Sequence, residues 1–189
     1  MSGGADSSLA AYALAYFGRA RNMDLQITPI VIQVDKNPFQ FEVVEGVLGT
    51  IEKILDIKFL KMAAYNLPEN EQLIPKMRAI EGELLSSGTV TMIVSGATHF
   101  PRGTDFIPPQ LGGPVENRKG KFPLIWDGPI YTPFINKDKK EIAFYYKEHD
   151  LMDSLFPKTR TCNRLFGNGV QHCGDCWSCR ERFYGFGII

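Results

Sequence analysis

The stretch that decides the fold is ITPIVIQV, residues 27–34, a nearly unbroken apolar run rich in β-branched side chains. Parallel strands need such runs, because helices cover both faces of a parallel sheet and bury every side chain. Residues 27–34 therefore predict a buried parallel strand within an α/β fold.

Helical and strand-like segments alternate on both sides of this run. The other predicted elements, in chain order, are a helix at 6–17, a helix at 40–55, a strand at 57–62, a helix at 71–85, strands at 89–94 and 130–135, and a helix at 138–149. Strands that alternate with helices are typical of a parallel sheet with helices packed on it. The sequence thus predicts an α/β protein with an open, doubly wound sheet.

Single residues predict where the first helix begins and ends. Asp6 or Ser7 is placed to cap the first turn, and Gly18 is expected to end the helix.

Residues 101–129 have no hydrophobic period and contain six prolines. They predict a long surface loop, of a length that is more often functional than merely connecting.

Charge and apolar pattern argue against several classes of protein. The charges of the 21 basic and 21 acidic residues cancel. A protein that binds long nucleic acid or an anionic membrane usually carries a net positive charge instead. The apolar run at 9–17 is too short to span a bilayer, and Asp6 precedes it where a secretion signal carries positive charge. The cysteines are clustered rather than spread as disulfide partners. A cytoplasmic location is therefore expected.

The cysteines lie within eighteen consecutive residues: Cys162, Cys173, Cys176 and Cys179. A C-x2-C spacing lets a tight turn direct successive thiolates at one ion, and Gly174 gives that turn its backbone freedom. Four thiolates complete a tetrahedral Zn²⁺ site, which is structural because catalytic zinc keeps one position open for water. The alternatives are four free thiols or an iron–sulfur cluster. His172 could replace one thiolate, but a role beside the site is the expectation.

The segment SGGADSS, residues 2–8, has the chemistry of a phosphate-binding loop. The candidate phosphate ligands are the backbone N–H groups and hydroxyls of Ser2, Gly3, Gly4, Ser7 and Ser8. The helix that begins at Asp6 directs its positive end to the same place, and Asp6 can hold a Mg²⁺ ion that bridges the phosphates. The alternative is a solvated terminus, because a start rich in serine and glycine is common in disordered chain ends.

Three motifs together resemble one family. S-G-G-x-D-S at residues 2–7 is the signature of the PP-loop ATP pyrophosphatases. Within that superfamily, Cys162 followed by CGDCWSCRER at 173–182 is similar to the zinc knuckle of the 7-cyano-7-deazaguanine synthases. IYTPFINKDKKEI at 130–142 resembles the family's T-P-L-x-x-x-x-K-x-E segment and places Lys139 and Glu141 on its matching positions.

The resemblance implies a fold and a domain organisation. It implies a PP-loop nucleotide-binding domain of the adenine nucleotide alpha-hydrolase type over residues 1–150. A C-terminal zinc-binding subdomain would follow over residues 151–189.

The resemblance also implies an ATP-dependent carbon–nitrogen ligase of queuosine biosynthesis. Such enzymes activate the carboxylate of 7-carboxy-7-deazaguanine as an adenylate, let ammonia displace AMP, and activate the amide again to dehydrate it to 7-cyano-7-deazaguanine (preQ0). It implies ATP and Mg²⁺ at residues 2–8, with catalytic roles for Asp6 and for Lys139, whose ammonium would neutralise charge on phosphate oxygens. Small molecules are the expected partners, without nucleic acid or membrane, and a homodimer is left open.

The chain departs from the family at two places. The family's loop follows a hydrophobic strand, whereas Met1 directly precedes Ser2. The expected reason is that the sequence is trimmed at its start or that its start is misassigned. The alternatives are that another polypeptide supplies the strand or that the loop is vestigial. In the middle, QVDKNPFQFE and GATHFPRGTDFIPPQLGG stand in place of the family's conserved stretches, so Arg102 and Asp105 are either base-recognising groups or ordinary loop residues.

Two further functions are kept beside the ligase hypothesis. The same ATP chemistry could act on another acceptor, either a base in tRNA or a different carboxylate. A catalytically inactive nucleotide-binding or zinc-knuckle interaction module belongs to another class. The missing strand favours that module, and the near-intact S-G-G-x-D-S motif argues against it.

Overall fold

The computed structural model describes residues 1–34, 38–68, 71–99, 125–162, 164 and 171–189. The helices are α1 (Ala5–Ala20), α2 (Gln40–Leu55), α3 (Leu73–Ser86), α4 (Lys139–Glu148) and α5 (Trp177–Phe186), with a 3-10 turn at Phe156–Lys158. The strands are β1 (Ile30–Val34), β2 (Ala63–Leu67), β3 (Ile93–Val94), β4 (Trp126–Asp127) and β5 (Ile130–Tyr131). The protein is mixed α/β, and no described helix combines the length and apolar character needed to cross a membrane.

The described strands form two small sheets. β1 and β2 pair in parallel, with Ile30 opposite Ala63 and Val34 opposite Leu67. β3 pairs in parallel with β5, and β4 pairs antiparallel with β5. No strand among the described residues joins the two sheets. The parallel pairing that the sequence predicts is present, while the described residues do not form one continuous, doubly wound sheet.

Strand β1 is covered by helices on both faces. Val31 packs with Val44 of α2, while the next residue, Ile32, packs with Ile80 of α3. Successive side chains of a strand point to opposite faces, so both faces of β1 are buried. The strand predicted at 27–34 is confirmed over Ile30–Val34, whereas residues 27–29 of the same apolar run precede it and are not strand.

The largest core cluster lies between α1, α2, α4, α5 and the 3-10 turn. Its fully buried side chains include Leu9, Ile51, Ile142, Tyr146 and Leu155. Burial of side chains of this size contributes roughly 1.5–3 kcal/mol each. This cluster fixes the first turn of α1 beside α4 and α5, and thereby brings the two ends of the chain together.

Several predicted boundaries are corrected by the structure. Helix α2 matches the prediction, but the strand expected at 57–62 lies at Ala63–Leu67, because those residues are in register with β1. Gly18 does not end α1, which continues to Ala20; a Cβ on Gly18 would lie 2.6 Å from Cδ1 of Leu25, so this glycine permits packing.

The remaining strands and the predicted loop also differ. The strands expected at 89–94 and 130–135 are ladders of two residues each, β3 and β5. Most of the loop predicted at 101–129 lies outside the described residues. Its end is not loop, because Trp126–Asp127 pair with β5 as strand β4.

Candidate active site and metal centre

A cavity of about 290 Å³ lies at the start of α1, near the lower end of the usual size of small-molecule sites. Its lining combines residues from both ends of the chain, including Ser2, Asp6, Lys139, Arg160, Cys162 and Glu181. The structure thus brings the two predicted catalytic residues together and places one predicted metal ligand in the same wall.

The glycines of residues 2–8 are needed for close packing. Gly3 has a left-handed φ of +72°, and a Cβ there would lie 2.7 Å from Cγ1 of Val43. Gly4 precedes the first turn of α1, and its Cβ would lie 3.0 Å from Cγ2 of Thr161. The Gly3 carbonyl accepts a 2.8 Å hydrogen bond from the backbone N–H of Arg160. The loop is therefore packed between α2 and the segment that leads to the cysteines.

The serine hydroxyls of this loop are engaged mainly with the loop itself. Ser7 and Ser8 donate to the Gly4 carbonyl at 3.1 and 2.9 Å, and the hydroxyls of Ser2 and Ser7 are 3.1 Å apart. Ser8 is fully buried. The predicted cap by Asp6 or Ser7 is wrong, because Gly4 occupies the N-cap position and no side chain caps α1. A hydroxyl inside a helix readily bonds the carbonyl one turn earlier, which turns Ser8 away from a ligand.

Asp6, Lys139 and Glu181 form a buried ionic cluster. The Lys139 ammonium pairs with Oδ2 of Asp6 and lies 3.5 Å from Oε2 of Glu181. Thr98 donates a 3.0 Å hydrogen bond to the same Asp6 oxygen. Lys139 and Glu181 are each only 4% exposed, so this lysine is not an ordinary surface residue of a helix start. Two carboxylates and one ammonium leave the cluster with one net negative charge.

The second carboxylate oxygen of Asp6 is suited to a cation. Oδ1 of Asp6 is buried and has no hydrogen-bond partner among the described residues. A buried carboxylate oxygen without a donor is unfavourable unless a cation contacts it. Carboxylate oxygens are also the protein ligands that Mg²⁺ prefers. Oδ1 of Asp6 is therefore one oxygen donor of the kind that Mg²⁺ uses, and the Mg²⁺ role of Asp6 stays a prediction.

Helix capping and a close helix contact hold Lys139 in place. The Asp138 side chain accepts hydrogen bonds from the N–H groups of Lys140 and Glu141, and the Glu141 side chain accepts from the Asp138 N–H. This capping box fixes Lys139 in the first turn of α4. Glu141, the second residue that matches the family segment, therefore caps the helix. Behind Lys139 lies Gly185 of α5, whose Cβ would be 2.5 Å from the Lys139 carbonyl oxygen.

The four cysteine sulfurs form a cluster in which all ligand atoms lie within 4.8 Å of one another. Sγ of Cys162 is 3.9 Å from Sγ of Cys176, and Sγ of Cys173 is 4.0 Å from Sγ of Cys179. A tetrahedral zinc site with metal–sulfur bonds of about 2.3 Å places its sulfurs about 3.8 Å apart. The cluster therefore fits a zinc ion. Gly174 has the left-handed φ, +74°, that its turn was expected to need.

Backbone donors make the cluster favourable for thiolates. The N–H of Cys173 lies 3.4 Å from Sγ of Cys162, and the N–H of Cys176 lies 3.3 Å from Sγ of Cys173. Burial raises the pKa of Cys173, but hydrogen bonds from the backbone N–H groups of Asp175 and Cys176 and from the thiols of Cys162 and Cys176 together lower that pKa to about 6. Burial raises the pKa of Cys179, so in the absence of a metal the thiolate is favoured at Cys173 and not at Cys179. Thiolate is the form that binds metal.

His172 lies beside this cluster. Its Nε2 lies 3.3 Å from the N–H of Thr161, from which it accepts a hydrogen bond. Burial, together with the positive charges of Arg182 and Arg160, lowers the pKa of His172 to about 4. A neutral imidazole can accept this bond, so His172 supports the backbone next to Cys162.

Helix α5 connects the cysteine cluster to the cavity. It begins at Trp177, directly after Cys176, and carries Glu181 into the ionic cluster. Arg182 donates to Oγ1 of Thr159 at 2.7 Å and to the Phe156 carbonyl at 3.1 Å. Burial lowers the pKa of Arg182 to about 10, so its guanidinium remains charged at neutral pH. A metal ion at the cysteines would therefore fix one wall of the cavity.

Sequence reasoning missed four residues of this site: Gly96, Thr98, Arg160 and Glu181. A Cβ on Gly96 would lie 2.7 Å from the backbone of Asp6 and Ser7, so the end of β3 packs directly on the first turn of α1. The only signal for Gly96 and Thr98 was SGATHF after a predicted strand. Arg102 and Asp105 lie outside the described residues.

Comparison of the chain with protein-family models and with curated proteins finds no match. A functional proposal therefore depends on the motifs and on the geometry of the cavity.

Proposed function

We propose that this protein is a PP-loop ATP pyrophosphatase that converts 7-carboxy-7-deazaguanine and ammonia to 7-cyano-7-deazaguanine. One observation carries the proposal: Asp6 and Lys139, which are 133 residues apart, share an ion pair in a cavity whose wall includes Cys162. The three motifs of the resemblance thereby converge on one place. In keeping with this chemistry, we propose that the two small sheets are parts of one doubly wound sheet and that the protein is cytoplasmic.

Each residue of the ionic cluster has a role in this proposal. Asp6 would hold Mg²⁺ through its unbonded Oδ1, and the first N–H groups of α1 would bind phosphate oxygens. Lys139 would turn from its two carboxylates towards the α-phosphate, where negative charge increases as pyrophosphate leaves. ATP supplies the leaving group, because the acid oxygen departs as part of AMP when ammonia attacks. The cysteine cluster with Zn²⁺ would hold α5, and with it Glu181, against Lys139.

The test uses the full chain loaded with zinc. It is incubated with ATP, Mg²⁺, ammonium and 7-carboxy-7-deazaguanine, and AMP, pyrophosphate and the nitrile are quantified. We expect all three products from the wild type and a loss of at least ~100-fold in rate for Asp6→Asn, since the metal would lose its carboxylate. Asp153→Asn, a change at an exposed residue, is the matched control and should keep the wild-type rate. Absence of pyrophosphate release from the wild type would refute the proposal.

One observation favours a second candidate, an inactive interaction module. The hydroxyls of Ser7 and Ser8 bond the loop backbone, so they contribute less to phosphate binding than the motif suggests. Such a module would bind a nucleotide analogue or a partner without turnover, and Asp6→Asn would leave partner binding unchanged. Pyrophosphate release with a tRNA or with another carboxylic acid, but not with a deazaguanine, would instead indicate a different acceptor.

A further inference from the structure

Segment 95–99, which directly follows β3, is tied to two other parts of the chain. The backbone N–H of Ser95 donates a 2.9 Å hydrogen bond to the Tyr131 carbonyl of β5. At the other end of the segment, the backbone N–H of His99 donates a 2.7 Å hydrogen bond to the Lys137 carbonyl, shortly before α4 begins. The segment therefore has a defined position relative to the start of α4.

Thr98 reaches Asp6 from this segment. The backbone of Gly96 comes so close to the first turn of α1 that a Cβ there would lie 2.7 Å from backbone atoms of Asp6 and Ser7. Two residues later, the Thr98 hydroxyl donates a 3.0 Å hydrogen bond to Oδ2 of Asp6. Thr98 is only 4% exposed and lines the cavity. Hydrogen bonds to a carboxylate are stronger than those between neutral groups, so this bond ties Asp6 to a fixed segment.

The bonds that Thr98 and Lys139 make to Asp6 involve the same carboxylate oxygen. Both residues bind Oδ2, whereas Oδ1 is buried and has no hydrogen-bond partner among the described residues. A rotation of the carboxylate away from this orientation would break both bonds at once. In the proposed reaction Lys139 turns towards a phosphate, and of these two donors only Thr98 then stays on Oδ2. The orientation of Oδ1 would at that point depend on Thr98.

We propose that Thr98 is a positioning residue, which holds Oδ2 of Asp6 so that Oδ1 stays available to Mg²⁺. This inference rests on the proposed function, because it concerns the metal ion that Asp6 would bind there. Thr98 acts through Asp6 and needs no contact with the metal. Carboxylates that bind metals usually accept hydrogen bonds from neighbouring groups, and loss of such a donor typically weakens metal binding by ~10–100-fold.

Mn²⁺ is the probe, because it prefers the same oxygen ligands as Mg²⁺ and is detected by electron paramagnetic resonance. The full chain loaded with zinc is titrated with Mn²⁺ alone, and the signal of free Mn²⁺ gives the affinity. The site in question is the one that Asp6→Asn removes. Thr98→Val replaces the hydroxyl by a methyl group and should bind Mn²⁺ at least ~10-fold more weakly at this site. Thr98→Ser keeps the hydroxyl donor and should stay within about threefold of the wild type.

The matched control is Thr89→Val. Thr89 is exposed and its hydroxyl lies 2.8 Å from that of Ser87, so this variant should bind Mn²⁺ as the wild type does. Thr98→Ala removes the same hydroxyl with a smaller side chain and should show the same loss as Thr98→Val. Zinc content and far-UV circular dichroism of each variant must equal those of the wild type.

Three results would overturn the inference. Asp6→Asn could bind as much Mn²⁺ as the wild type, Thr98→Val and Thr98→Ala could keep the wild-type affinity, or Thr98→Ser could lose as much affinity as Thr98→Val. The proposed function fails separately. A wild type that binds Mn²⁺ at Asp6 but releases no pyrophosphate with ATP and Mg²⁺ would refute that function and leave the positioning role of Thr98 intact.

Discussion

Replacement of Gly185 by alanine should destabilise the protein by separating α5 from α4. A Cβ at Gly185 would lie 2.5 Å from the carbonyl oxygen and 2.6 Å from the Cβ of Lys139, so the obstructing atoms are backbone and Cβ rather than a flexible side-chain end. Restoring an ordinary contact of 3.4 Å requires a shift of about 0.9 Å between the two helices. Overpacking of this kind costs about 1–3 kcal/mol.

The helical preference of alanine opposes this cost only in part. Alanine is favoured over glycine by up to ~1 kcal/mol in a helix interior, and by less here, in the last turns of α5. The expected net loss in the free energy of unfolding is therefore about 1–2 kcal/mol. Gly46→Ala in α2 is the matched control, since nothing lies within 4 Å of its Cβ position. That variant should be as stable as the wild type or more stable by up to ~1 kcal/mol.

Urea unfolding of the zinc-loaded proteins, followed by circular dichroism, measures both variants. The midpoint should fall for Gly185→Ala and stay or rise for Gly46→Ala, with the same dependence on urea concentration in each case. If Gly185→Ala proves as stable as Gly46→Ala, α5 does not pack on Lys139 as described. The contact between Lys139 and Glu181 of α5 would then fail as well.

Three further predictions concern other contacts of the site. Tyr146→Phe removes a buried 2.9 Å hydrogen bond to the Ala5 carbonyl and should lower the free energy of unfolding in urea by about 1 kcal/mol. Because burial raises the pKa of Tyr146 above its usual 10.0, the stability of the wild type should fall as pH rises past 10. An identical decline in the variant would contradict this reasoning. Metal analysis of the wild type should find one zinc ion per chain, and Cys179→Ser should bind less zinc. A brown wild-type protein that contains iron would instead show that the iron–sulfur alternative is correct. Gly96→Ala should destabilise the protein by about 1–3 kcal/mol, since its Cβ would lie 2.7 Å from backbone atoms of α1; unchanged thermal unfolding would argue against that packing.

Features that depend on local pattern were predictable from the sequence. Residues 27–34 encode burial on both faces, and their alternate side chains contact α2 and α3. The helical spacing of apolar residues predicted the first and the last residue of α2. The C-x2-C spacing predicted the cysteine cluster, since neighbouring thiolates on one turn need no distant partner. The position of β2 could not be predicted from its own residues. It lies at 63–67 because its pairing with β1, rather than its own composition, sets where it begins.

The cavity was decided by tertiary structure. Asp6 and Lys139 are 133 residues apart, and only the packing of α1 against α4 makes them an ion pair. Glu181 and Arg160 resemble exposed charges in the sequence, yet both are buried because the cysteine cluster positions α5 and the segment before Cys162 against the start of α1. Ser8 fits a phosphate-binding motif, but the helix backbone takes its hydroxyl. The sequence by itself therefore determined which residue types and which local elements are present, while long-range packing determined which of their polar atoms face one cavity.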